Sequence, residues 1–212
     1  PQNNDTPIDI EKTIKALERN KFVVHYFETG AEAVAYLKNR IQNKCIAIGD
    51  SRTLLEIGVH DALSEVNEDI TDIQRALPGE SFRDTALRTM GRDVFLTSVN
   101  ALSQTGEMVN IDGTGNRVAA SLFGSQEVFF VLGVNKITPD LASAIYRARN
   151  VAAPLNSKKN KKSSLNPCAT LDEKCYDCGS PDRICNALTI YYKKMRNMQT
   201  MEIIIINESL GF

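Results

Sequence analysis

The apolar positions along the chain switch repeatedly between a helical and a strand rhythm. Ile8, Ile10, Ile14 and Leu17 recur at helical spacing and predict an amphipathic helix over residues 8–20. Residues 22–27, Phe-Val-Val-His-Tyr-Phe, are β-branched or aromatic in the main and read as a strand. Helical spacing returns over residues 30–42 with Ala31, Val34, Tyr36, Leu37 and Ile41. A short apolar strand at residues 45–48 then stops at Gly49-Asp50-Ser51, and a helix is predicted from about Thr53 through Leu54 and Leu55 towards Gly58. Further on, residues 82–90 read as a helix, 94–99 as a strand, and 107–111 as another strand after a turn at Gly106. Residues 128–132 are apolar without alternation, as a central strand covered on both faces requires. A helix follows over 139–150 with Pro139 in its first turn, where a missing N–H costs little. The four consecutive isoleucines within residues 201–206 predict a second buried strand.

Strand, helix and strand in succession are the rhythm of right-handed βαβ units. The fold class that follows is α/β, a mainly parallel sheet flanked by helices. We read residues 1–212 as one domain, with residues 1–44 as a helical N-terminal region holding one strand. Residues 154–186 form a basic loop followed by a cysteine-rich segment. Within it, residues 157–164 are basic, polar and free of apolar periodicity, so a surface loop is expected, either simply solvated or open to an acidic partner. Cys45, inside a predicted strand, reads as a small core residue. His25 and His60 have no ligand-like neighbours in sequence and receive no role.

Composition narrows the function classes. The chain has 212 residues, 42% hydrophobic and 24% charged, with a formal net charge of −1. That balance lacks the basic surplus of a nucleic-acid binder. No apolar run approaches the roughly 20 residues that cross a bilayer, and the first thirty residues carry no signal-peptide core. A cytoplasmic protein with reduced cysteines is expected. A homo-oligomer is left open.

Three loops at predicted strand ends carry candidate chemistry. Gly49-Asp50-Ser51-Arg52-Thr53 joins a strand to a helix; Gly49 allows close approach of backbone to a ligand, and Ser51 and Thr53 supply hydroxyls for an anion at the helix start. The alternative is that Asp50 or Ser51 is an ordinary N-cap. The stretch Asn110-Ile111-Asp112-Gly113-Thr114-Gly115-Asn116-Arg117 brings a carboxylate, two glycines, an amide and a guanidinium to one place. Arg117 suits a bidentate grip on an anion, and Asp112 suits a general base or hydroxyl ligand. A hairpin turn capped by Asp and Asn explains the glycines as well, but not the arginine. Gly133-Val134-Asn135-Lys136 follows the most apolar strand, and its lysine falls where open α/β sheets bind ligands. A solvated surface lysine is the commoner case.

Four of the five cysteines lie close together: Cys168-x6-Cys175-x2-Cys178-x6-Cys185. Thiolates are soft ligands suited to zinc or an iron–sulfur cluster, and the inner pair has the two-residue ligand spacing. The outer spacings match neither a bacterial ferredoxin run nor a zinc ribbon, so a four-cysteine metal site is expected with the metal undetermined. Reduced structural cysteines or a redox disulfide are the alternatives.

Taken as an ordered set, these segments resemble the LUD-domain family of lactate-utilization proteins. The matching residues are Gly49-Asp50-Ser51-x-Thr53 with Glu56-Ile57-Gly58, Asn100-Ala101, Thr105-Gly106, the Asp112 to Arg117 loop, Gly133-Val134-Asn135-Lys136, Arg147-x-Arg149 and Pro154-x-Asn156. The cysteine segment from Pro167-Cys168 looks like the tail of short single-domain members. The resemblance implies a fold like that of ribose-5-phosphate isomerases, glucosamine-phosphate deaminases and CoA transferases. In function it implies an accessory or electron-transfer component in the oxidation of L-lactate to pyruvate, working with other lactate-utilization subunits. Asp112 and Lys136 would then be acid–base or carboxylate-binding groups. A small anionic metabolite would be held among Gly49, Asp50, Ser51, Thr53, Glu56, Asn100, Thr105, Gly106, Gly113, Gly115, Asn116, Arg117 and Asn135. The chain has no ferredoxin-like domain and no flavin or nicotinamide fingerprint. Two other classes stay open: a stand-alone isomerase, hydrolase or transferase on a sugar phosphate or acyl substrate, and a non-catalytic metabolite sensor.

Overall fold

The structure, a computed structural model, describes residues 7–159, 165–172 and 174–212. Its N-terminal part follows the sequence rhythm closely. Helix α1 (Ile10–Arg19) starts where the Asp9 carboxylate accepts from the Lys12 N–H at 2.9 Å, and it buries Leu17. Strand β1 (Val23–Phe27) follows, then α2 (Gly30–Arg40), opened by a reciprocal capping box between Thr29 and Glu32. Next come β2 (Cys45–Ile48), α3 (Arg52–Glu56), α4 (Val59–Ser64), β3 (Asp69–Asp72), α5 (Phe82–Arg88) and β4 (Val94–Thr97). The remaining elements are β5 (Ala101–Ser103), β6 (Met108–Asp112), α6 (Asn116–Leu122), β7 (Glu127–Gly133), β8 (Ile137–Thr138), α7 (Leu141–Arg147), α8 (Ala153–Lys159), α9 (Pro167–Thr170), β9 (Ala187–Tyr191) and β10 (Thr200–Ile206).

Six strands form one parallel sheet in the order β1-β10-β7-β4-β2-β3, as the α/β reading requires. Strands β7 and β10 lie side by side near its middle, which is why their sequences are apolar without alternation. Val128, Phe130 and Leu132 point to one face with Ile203 and Ile205, beneath α1 and the second sheet. Phe129 and Val131 point to the other with Ile204 and Ile206, beneath α2, α3 and α4. The second sheet, β8-β5-β6-β9, is mixed and packs its outer face on Ala144, Ala148 and Ala153 of the last long helical run. The short strands β3, β5, β8 and β9 carry no apolar run or alternation that marks them, and none is legible in the sequence.

Three expectations change. Pro139 lies outside α7: Asp140 is the N-cap, its carboxylate accepting from Ser143 N–H at 2.7 Å. The chain then stays helical well past residue 150, passing from α7 through a π-helical turn at Ala148–Ala152 into α8. That wider turn sits where Pro154 removes a donor and crowds the Asn150 carbonyl. Residues 157–159 of the expected basic loop are therefore helical, burying small side chains (Ala153, Pro154, Ser157) that give no apolar stripe; residues 160–164 lie outside the described residues. Cys45 is exposed rather than a core residue, because it opens β2 and only the next three positions reach the interior. Among the described residues no helix is long and apolar enough to cross a membrane.

Candidate functional site

The carboxyl ends of β2, β4, β6 and β7 open onto one cleft of about 520 Å³. The parallel strands β2, β4 and β7 place their following loops at one edge of the sheet, and β6 of the second sheet ends beside them, so segments far apart in sequence are delivered to the same space. Asp50, Ser51 and Arg52 come from the end of β2, Ser98 and Asn100 from β4, Asp112, Gly113, Thr114, Asn116 and Arg117 from β6, and Lys136 from β7, while Gly115 does not line the cleft. Ala153 and Asn156 of α8, and Phe212 beyond β10, close the far side. Lys159 stacks its ammonium over the Phe212 ring, 4.5 Å from the centroid.

Lys136 is the unusual group. Its side chain is 4% exposed, yet it reaches the cleft. Nζ donates to Thr53 Oγ1 at 2.9 Å and Ser98 Oγ at 3.0 Å, both neutral acceptors. Burial away from water disfavours the ammonium, and the nearby guanidiniums of Arg147 and Arg117 disfavour it further. Glu56 opposes them weakly, and the amine is held down at about 7. Arg147 is itself largely buried and pulled down to about 10 by desolvation, while its guanidinium donates to the Asn100, Asn135 and Phe212 carbonyls. It therefore ties the β4 and β7 loops to the chain end.

The loop after β6 is built around Asp112. Its Oδ1 accepts from Thr114 N–H at 3.2 Å and Gly115 N–H at 3.1 Å, and Oδ2 accepts from Val118 N–H at 3.1 Å. The segment is a strand-to-helix connection, not a hairpin, with Gly115 at φ 83° as the left-handed N-cap of α6. A side chain at Gly113 would come within 2.9 Å of the Ile184 carbonyl. Arg117 Nη2 donates to Ile111 O at 2.6 Å and Asn100 Oδ1 at 3.3 Å, and its Nε lies 3.7 Å from Asp112 Oδ2. The guanidinium is thus fixed along the cleft wall by the loop that carries it.

The other expected site residues divide. Ser51 lines the cleft, and its Oγ also accepts from Leu54 N–H at 3.2 Å, so it is an N-cap as well. Asp50 lines the cleft and accepts from Gln74 Nε2 at 2.7 Å. Asn100, Gly113 and Asn116 line it too. Thr53 lies beneath, as the partner of Lys136. Gly49 lies behind the cleft, its α-carbon packed against the Phe95 ring. Glu56 holds Arg52 Nε at 2.9 Å and the Gly211 N–H at 2.7 Å, and the Asn135 side chain accepts from Leu210 N–H at 3.1 Å. Both fasten the C-terminal tail. Thr105 and Gly106 form the β5–β6 turn, which packs on α1 through the Asn20 Nδ2 bond to Gly106 O at 3.1 Å; they do not line the cleft. Sequence reasoning missed Ser98, Arg147 and Phe212 as site residues. Ser98 was accessible as the end of a predicted strand; Phe212 had no local signal.

The four clustered cysteines line one pocket with Arg149, Arg183 and Ile184. Ile184 and Ala153 border this pocket and the cleft alike. All four thiols are free, and among the described residues no three Cys, His, Asp or Glu side chains close on a single point as the shell of one metal ion would.

The LUD domain family model matches residues 10–206. No curated protein matches the chain. Among solved structures it is similar to that of a DUF162 family protein from Deinococcus radiodurans, with a TM-score of 0.54 at 13% identity, covering 94% of this chain and 99% of that one. At that identity the likeness establishes the fold alone, whereas the family model spans nearly every element described above. The chain belongs to the LUD-domain family.

Proposed function

We propose that the cleft binds a small anionic metabolite of the 2-hydroxy or 2-oxo carboxylate kind, and that the chain works as an accessory or electron-transfer component in the oxidation of L-lactate to pyruvate, alongside other lactate-utilization subunits. The observation that carries this reading is Lys136, a buried amine of lowered proton affinity at the cleft floor. Such an amine is about half deprotonated near neutral pH and can take a proton, which an ammonium at its ordinary value cannot. Arg117, on the neighbouring wall, supplies the fixed positive charge for a carboxylate. Asp112 holds the Arg117 loop in shape through its three backbone bonds, and Ser98 and Thr53 orient the amine.

Calorimetric titration with L-lactate and with pyruvate tests the reading. Arg117→Ala, with its fold checked by circular dichroism, is expected to weaken binding by about 1.5–3 kcal/mol, the value of a charge-assisted hydrogen bond. Unchanged affinity in the folded variant, or no binding of either acid by the native chain, refutes it. The same buried amine of lowered proton affinity favours a second reading, a stand-alone enzyme acting on a sugar phosphate or acyl substrate. Turnover by the purified chain without partners is the result that would select it.

A further inference from the structure

The cysteine pocket stands apart from the cleft's own chemistry, and nothing in the proposed acid–base reading uses it. Cys168 is carried by the single-turn α9, and Cys175, Cys178 and Cys185 by the irregular segment between α9 and β9. Three residues separated by up to seventeen positions from Cys168 nonetheless border one space with it. The fold secures that arrangement by specific means. Asp177, between the inner pair, adopts φ 49°, a left-handed turn that brings Cys175 and Cys178 to the same side. Arg183 donates Nη1 to the Cys178 carbonyl at 2.7 Å and Nε to the Cys185 carbonyl at 3.0 Å, stapling the two later cysteines together.

Two of the four sulfurs, those of Cys175 and Cys185, face N–H donors. Arg183 Nε points at Cys185 Sγ at 3.2 Å, the Asp177 N–H at Cys175 Sγ at 3.4 Å, and Arg149 Nη2 at Cys175 Sγ at 3.8 Å. Four thiolates around a divalent metal or an oxidised cluster leave a net charge of about −2; the two guanidiniums, which also pair with the Asp177 carboxylate at 3.1 and 3.6 Å, offset part of it. Neutral thiols filling a core need no such donors. On the other side the pocket meets the cleft through Ile184, whose carbonyl lies against Gly113.

We propose that Cys168, Cys175, Cys178 and Cys185 form a four-thiolate metal centre, with Arg149 and Arg183 as its charge-balancing neighbours. The ligand chemistry is that of a soft metal, taken as a single zinc ion or as an iron–sulfur cluster. Closure of the four sulfurs onto the metal draws the irregular segment inward, while the Gly113 contact keeps it seated on the cleft wall.

The test is anaerobic purification of the full chain, followed by quantification of iron, acid-labile sulfide and zinc per chain and by visible spectroscopy. Iron and sulfide in equal, stoichiometric amounts with broad visible absorption identify a cluster; one zinc in a colourless protein identifies a mononuclear centre. Either supports the site if Cys178→Ser and Cys185→Ser each lose the metal while Cys45→Ser retains it. Absence of stoichiometric metal from the native chain overturns the proposal, and so does full retention in both pocket variants. Should a pocket variant fail to fold, alkylation provides the second measurement. The four thiols of the native protein should resist iodoacetamide until a strong chelator is added, while the exposed Cys45 reacts without one. Equal reactivity of all five before chelation overturns the proposal.

Discussion

Replacing Lys136 by methionine separates the cost of burying a cation from the value of its hydrogen bonds. In the unfolded chain the amine holds its proton up to about pH 10.5; in the fold it does so only up to about 7. Between those values the unfolded chain binds the proton and the folded chain does not, so the native protein gains stability as pH rises through this window. Below about pH 7 both states are protonated and the full penalty of the buried ammonium is present. At 1.36 kcal/mol for each tenfold change in proton affinity, that penalty is about 4–5 kcal/mol, and some water in the cleft reduces the part observed to about 3–4 kcal/mol. Methionine keeps the length and removes the charge. It also leaves Thr53 and Ser98 without the amine, at about 1 kcal/mol each, a loss that does not vary with pH. Urea denaturation of both proteins from about pH 6.5 to pH 10 gives the difference in stability, in which titrations common to both cancel. The native chain should gain about 3–4 kcal/mol on the variant across that range. A difference that stays flat within about 0.5 kcal/mol would refute a depressed Lys136 and remove the basis for its acid–base role.

Other perturbations address the scaffold. Arg40 pairs with Glu202 at 3.0 Å and with Glu127, two buried carboxylates at the opposite edge of the sheet from the cleft. Arg40→Ala should cost about 3 kcal/mol in urea unfolding by stranding them; a cost under about 1 kcal/mol would show that Lys44, His25 and Tyr36 suffice. Gly113→Ala places a methyl 2.9 Å from the Ile184 carbonyl, and a loss of about 1–3 kcal/mol with faster amide exchange at residues 183–186 is expected. Unchanged exchange would mean the two loops are not coupled. Tyr191→Phe removes the buried 2.6 Å bond to Ser121 Oγ and should cost about 1–1.5 kcal/mol by thermal unfolding; no loss would mean that the Ser121 bond to Val118 O is sufficient alone.

The sequence by itself determined the elements that bury a continuous face. The isoleucines of β10 and the Val128–Leu132 run read as strands covered on both sides, and the helical spacing of apolar positions in α1 and α2 set their buried faces. From these the parallel α/β class followed, and with it the prediction that loops after β2, β6 and β7 carry the chemistry. Tertiary structure decided the rest. Nothing local distinguishes Lys136 from a solvated lysine; the hydroxyls that hold it are 38 and 83 residues away in sequence, and its lowered proton affinity is a property of burial and of two remote arginines. Asp112 reads in sequence as a general base, a hydroxyl ligand or a turn cap, and only the structure shows the Thr114, Gly115 and Val118 N–H groups that occupy it. Thr105 and Gly106, adjacent to the candidate loops in sequence, turn instead onto α1. The short strands of the second sheet exist only because neighbours supply their hydrogen bonds. Helix α8 buries through small residues that leave no hydrophobic period, so its continuation past Pro154 was invisible. Periodicity reports which face of an element is dry, while the partners that a polar group meets are set by where the chain returns.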